Sequence, residues 1–115
     1  MSGRAEAAGA AAVVDDAMLC ASRLQSLGVE IDAFRRKGEA AIGGEPGPEV
    51  ETLRGRQNEI IGGFLDRTLA VKRDDRSALD DAQRRLRELY HDTRGDLVAG
   101  RALALVEAAL RRDDP

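Results

Sequence analysis

The chain has 115 residues, 43% hydrophobic and 34% charged, with a formal net charge of −3; that is enough for one small core in one domain and too little for two. Its aromatic residues are Phe34, Phe64 and Tyr90, with no tryptophan, so neither a platform for stacking bases nor an aromatic sugar groove can be assembled. The charges interleave: residues 1–43 carry five basic and six acidic groups, 44–76 six and seven, and 77–115 seven and eight. Without a field of one sign, neither nucleic acid nor an anionic membrane surface is an expected partner.

Near the start, Arg4 and the run AAGAAAVV have the outline of a short secretory segment. Glu6 precedes the run and Asp15 and Asp16 close it, so a cytoplasmic location is the expectation. Ser2 stands where N-myristoylation needs glycine. Cys20 is the sole cysteine, which excludes an intrachain disulfide and a thiolate metal cluster and fits a reducing compartment. Among Met18, Ala21 and Leu24, with no base beside it in sequence, it reads as a small core residue rather than a nucleophile.

From residue 10 to 42 the positions Val14, Ala17, Met18, Ala21, Leu24, Leu27, Ile31, Phe34 and Ile42 recur at steps of three and four, the spacing of a one-faced helix. Gly28 interrupts the pattern, but no second alternating run exists to pair LGVEI as a strand. GGEPGP, residues 43–48, crowds glycine and proline around Glu45 and predicts a loop. It follows no strand, so it is not a phosphate-binding loop.

A second helix is predicted over 49–72, with Pro48 at its first turn and Glu49 and Glu51 complementing its N-terminus. Val50, Leu53, Ile60, Ile61, Phe64, Leu65 and Val71 form its apolar stripe. Gly62 and Gly63 each cost about 1 kcal/mol relative to alanine there, so they mark a close helix approach or a weak point.

KRDDRS, residues 72–77, predicts a polar connection, and Ser77 with Asp80 resembles a capping box. The third helix is predicted over 77–112, with Leu79, Ala82, Leu86, Leu89 and Tyr90 on one face. Asp80 with Arg84, Asp81 with Arg85 and Arg84 with Glu88 stand four apart on the solvent side. At HDTRGD, residues 91–96, the helix either bends at Gly95 or ends there with Asp96 capping a fourth. The expected fold is therefore all-α: one antiparallel bundle domain of three long helices, the last bent or broken near Gly95.

The last stretch, LVAGRALALVEAAL (Leu97–Leu110), holds only Arg101 and Glu107 as polar residues, and its apolar side chains point almost all round the helix. It is too short and too charged to span a bilayer. A bundle must bury such a helix centrally or offer it to a partner. Leu97, Val98, Leu103, Val106 and Leu110 are the candidate partner-binding residues. The expected partner is an amphipathic helix of another protein, or a second copy of the chain.

Three resemblances bear on function. A long first helix ending in RRKGEAAIGG, a loop and second helix PEVETLRGRQNEIIGGFLDRTL, and a third segment RRLRELYHDTRGDLVAGRALALVEAALRR together resemble the bacterial flagellar export chaperones of the FlgN and FliT kind. That likeness implies a non-catalytic cytoplasmic bundle without cofactor or metal, which holds the helical end of a secreted subunit. His91-Asp92-Thr93-Arg94-Gly95 resembles the H-x-x-[KR]-G pattern of histidine phosphotransfer domains, which implies an alternative in which His91 accepts a phosphoryl group, Arg94 steadies it and Gly95 makes room for a response regulator. Only one hydrophobic helix follows the motif here, where that family has two. Arg84 and Arg85 precede His91 at an interval similar to that of HEPN-type ribonucleases, a second alternative that lacks the further signals of that family. The paired aspartates 15/16, 74/75, 80/81 and 113/114 diverge by about 100° on a helix and serve solvation and capping rather than a metal.

Overall fold

The fold is known from a computed structural model that describes residues 2–40 and 47–112, with side-chain surroundings for 9–37 and 47–112. Four helices follow one another: α1 (Ser2–Ala40), α2 (Pro48–Asp74), α3 (Arg76–Asp92) and α4 (Leu97–Arg111). The described residues contain no strand. The expected class is all-α and so is the structure, but the helix expected over 77–112 is two helices.

Alanine is the best helix former, and the alanine-rich start carries α1 back to Ser2, ahead of the apolar stripe that set the expected boundary at residue 10. The expected end at Ile42 and the loop residues 43–46 lie outside the described residues. Gly47 is the N-cap of α2 in an extended conformation, and Pro48 takes the first helical position, where its missing N–H would have had no partner.

The polar connection expected at 72–77 shrinks to one residue. Asp75 donates its N–H to the Val71 carbonyl (2.7 Å), closing α2. Its carboxylate accepts from the Ser77 N–H (3.1 Å) and the Ser77 hydroxyl, capping α3. The capping role expected of Ser77 thus belongs to Asp75, and Ser77 already lies inside the helix.

At the α3–α4 junction the chain stops rather than bends. Thr93 N–H bonds the Leu89 carbonyl (2.9 Å) and Gly95 N–H bonds the Tyr90 carbonyl (2.8 Å). Arg94 and Gly95 both have left-handed backbone (φ 57° and 87°). This is a helix end of the Schellman type. Asp96 restarts the helix, its carboxylate accepting from the Ala99 N–H at 2.9 Å.

Consecutive helices run antiparallel. Arg67 reaches Asp16 and Gln57 reaches the Leu24 carbonyl between α2 and α1, while Gln83 reaches Glu107 and Tyr90 lies on Gly100 between α3 and α4. Phe64, Leu79, Leu86 and Val106 are fully buried where all four helices meet. Ala17, Ala21, Ala82, Ala102 and Ala109 line the same core, and their small side chains let the backbones approach.

A rise of about 1.5 Å per residue makes α1 roughly 58 Å long and α2 roughly 40 Å, against roughly 25 Å for α3 and 22 Å for α4. The α3–α4 turn therefore ends partway along the α1–α2 hairpin. Beyond it a second cluster, Ile31, Val50 and Leu53 with Leu27, holds α1 and α2 to each other alone. Phe34, expected in the core stripe, is 37% exposed on this projecting part, with the Lys37 ammonium 5.7 Å from its ring.

Candidate functional site

Helix α4 is apolar nearly all round because it is covered on most sides by α1, α2 and α3. Ala99, Ala102, Leu105, Val106 and Ala109 are buried, and Val98, Leu103 and Leu110 are half-buried against the same core. Of the five partner-binding candidates, Val106 is thus core and unavailable to a partner. Val98 and Leu110 serve mainly to pack the bundle. Leu97 remains 67% exposed.

Leu97 does not stand alone. Tyr90, expected on the buried stripe of α3, is 41% exposed, and its ring lies across the neighbouring helix at Gly100. A Cβ added at Gly100 would sit 2.8 Å from Tyr90 Cε1 and 3.3 Å from Cδ1; one at Gly95 would sit 3.5 Å from the hydroxyl. Two glycines therefore form the seat of the ring. Tyr90, Leu97, Leu103, Ala104 and Gly100, with Gln25 and Arg101, line an open depression of about 520 Å³ at the corner where the α3–α4 hairpin meets the middle of α1. Arg101 donates from Nε to the Gln25 Oε1 at 3.0 Å, pinning α4 to α1.

Sequence reasoning reached Leu97 and Leu103 but missed Tyr90, Gln25 and Arg101. The signal that could have found the corner is Gly100, a helix-destabilising residue in an otherwise strong helix former, ten residues after the lone tyrosine. That spacing across a four-residue turn puts the two on facing turns of a hairpin.

His91 is exposed in the last turn of α3 and shares a shallow depression with Arg87, Glu88 and Asp92. Arg94 does not follow it on the helix face, since the helix ends at Asp92 and Arg94 has left the helical backbone. In a continuing helix a residue three positions on would share the histidine's face; here the structure does not bring Arg94 there, and Gly95 supplies the left-handed backbone of the turn. Glu88 and Asp92 beside His91, offset in part by Arg87, leave a net negative surround that disfavours an incoming phosphoryl group. Arg84 pairs with Asp81, in place of the expected partners Asp80 and Glu88, and neither Arg84 nor Arg85 lines the depression of His91.

Cys20 is buried in a polar clamp between α1 and α2. Arg67 grips Asp16 through Nε (2.8 Å) and Nη2 (3.0 Å), and the same Nη2 reaches the Cys20 Sγ at 3.5 Å, which in turn donates to Asp16. Burial first, and the Asp16 charge second, push the thiol pKa above its ordinary value, so the sulfur stays protonated and unreactive. Gly63 makes room for this clamp: a Cβ there would meet Arg67 Nη1 at 3.0 Å, whereas Gly62 faces open space. Among the described residues no three His, Cys, Asp or Glu side chains are placed to share a metal ion, and no helix is long and apolar enough to cross a membrane. No family model, characterised protein or solved structure matches the chain.

Proposed function

We propose that the protein is a small non-catalytic helical adaptor or chaperone that holds an amphipathic helix of a partner protein in the corner formed by Tyr90, Leu97, Leu103 and Ala104. The observation that carries this reading is the pairing of Leu97 at 67% exposure with Tyr90 at 41% over one depression. A large apolar side chain left in water beside an aromatic ring marks a recognition surface. An apolar ridge of a partner helix, with side chains at i, i+3 and i+4, fits an open concavity between two helices. The reading is narrower than the whole face of α4: three of the five residues that suggested it hold the bundle together. The likeness to flagellar export chaperones points to the exposed end of a secreted subunit as the kind of client, met in the cytoplasm.

Tyr90 is the sole tyrosine and there is no tryptophan, so its emission reports the corner directly. Titration with an amphipathic helical peptide that lacks tyrosine and tryptophan should change this emission saturably. Leu97→Glu should weaken the peptide at least tenfold with unchanged circular dichroism, and His91→Gln should leave binding as it was. Absence of saturable binding by any amphipathic helix would refute the proposal.

A further inference from the structure

The corner is bordered by a second, polar depression of about 240 Å³, lined by Gln25, Gly28, Val29, Asp32, Arg54, Gln57 and Arg101, among others. Gln25 and Arg101 belong to both. The two hollows therefore adjoin across the hydrogen-bonded Arg101–Gln25 pair: apolar at Tyr90 and Leu97 on one side, hydrogen-bonding at Arg101 and Arg54 on the other.

The charges of the polar hollow are not neutralised in place. Arg101 hydrogen-bonds an uncharged amide, Gln25, through Nε, which fixes the guanidinium; its Nη2 lies over Gly28, in the lining of the polar hollow. Among the described residues, neither Arg101 nor Arg54 has a carboxylate within ion-pair distance. Other arginines do: Arg67 holds Asp16, Arg84 holds Asp81 and Arg112 holds Asp66. Asp32 lines the hollow without pairing with either arginine, so the hollow carries one net positive charge.

Resting on the adaptor reading above, we infer that the partner helix is acidic at this point: an apolar ridge seated on Tyr90 and Leu97, followed about one turn away by a glutamate or aspartate received by Arg101 and Arg54. The guanidinium is the group suited to this task, because its planar fork binds a carboxylate through two parallel N–H groups. Gln25 holds the fork in position before the partner arrives, which lowers the entropy lost on binding. Asp32 excludes a second carboxylate on the α1 side and sets the polarity of the partner's flank.

The test uses the full chain and three helical peptides of one design, without tyrosine or tryptophan: leucines at i, i+3, i+4 and i+7 with glutamate at the flanking positions, and siblings with glutamine or lysine there. Tyr90 emission gives the affinities. The glutamate peptide should bind about tenfold tighter than the glutamine peptide, as a charge-assisted hydrogen bond allows, and tighter still than the lysine peptide, the preference shrinking as salt rises. Arg101→Gln should flatten the ranking, Arg101→Lys should keep part of it, and Asp32→Asn should sharpen it. Equal binding of the three peptides, or a ranking that survives loss of both Arg101 and Arg54, would overturn the inference while leaving the adaptor reading intact. Failure of all three peptides would overturn both. A dimer in sedimentation that Leu97→Glu dissociates would make the occupant a second copy and likewise overturn the acidic partner.

Discussion

The seat of Tyr90 makes opposite demands on Gly100, and a double-mutant cycle separates them. As a helix position, Gly100 is unfavourable: replacement by alanine should stabilise α4 by roughly 1 kcal/mol through backbone entropy and propensity. As the floor under Tyr90, it cannot be replaced without movement, because the new Cβ would lie 2.8 Å from a ring carbon, well inside the 3.5–4.0 Å of an ordinary carbon contact. Overpacking of this kind costs about 1–3 kcal/mol when neighbours are fixed. The ring is half-exposed and can swing outward, which puts the cost at the lower end. Gly100→Ala should therefore be neutral to mildly destabilising in the wild type and stabilising by about 1 kcal/mol in a Tyr90→Ala background. The coupling is then at least about 1 kcal/mol. Urea unfolding of the four proteins, followed by circular dichroism, measures it. Equal stabilisation in both backgrounds would show that the ring does not rest on Gly100, and the corner would lose its floor.

The bundle itself was legible because the signals that define it are local. Three- and four-residue spacing marks every helix, and Pro48, Asp96 and Gly95 stand where a start, a cap and a stop are needed. Less legible are the places where two local rules compete. Asp75 and Ser77 are both good caps, and only the position of Val71, whose carbonyl accepts the Asp75 N–H, decides that Asp75 closes one helix while opening the next. At His-x-x-Arg-Gly a phosphotransfer pattern and a helix-stop signal overlap, and the left-handed pair at Arg94 and Gly95 places the helix end inside the motif. The apolar surround of α4 demands cover, but a sequence does not say which neighbours supply it. Val106 lies where all four helices meet, whereas exposed Leu97 opens α4 at its turn with α3, beyond which only α1 and α2 continue. For the same reason the polar hollow at Arg101 was invisible: Gln25, Asp32, Arg54 and Arg101 come from three helices and share no sequence pattern.

Gly95→Ala should destabilise the protein by about 1–2 kcal/mol, the cost of left-handed backbone for a residue with a Cβ, and thermal unfolding reads it directly; an unchanged midpoint would mean the turn relaxes. Cys20 is held protonated by burial and by Asp16, so the stability it contributes is complete below the ordinary thiol pKa and is lost as pH rises through the raised folded-state value. Urea titrations across the alkaline range should show that decline, and Cys20→Ala should flatten it. The last prediction divides α4 into its two faces. Val106→Asp places a carboxylate at a site with no exposure, where an unpaired charge costs several kcal/mol; against a total of about 5–15 kcal/mol for a domain, circular dichroism should show much of the helix lost. Leu97→Glu, two and a half turns earlier on the same helix, should stay within about 0.5 kcal/mol of the wild type, as surface changes do, while removing partner binding. If Val106→Asp keeps its helix and loses only binding, the corner is not the site and the whole face of α4 is. If Leu97→Glu unfolds the protein, Leu97 is covered in solution, and the surface on which the adaptor reading rests does not exist.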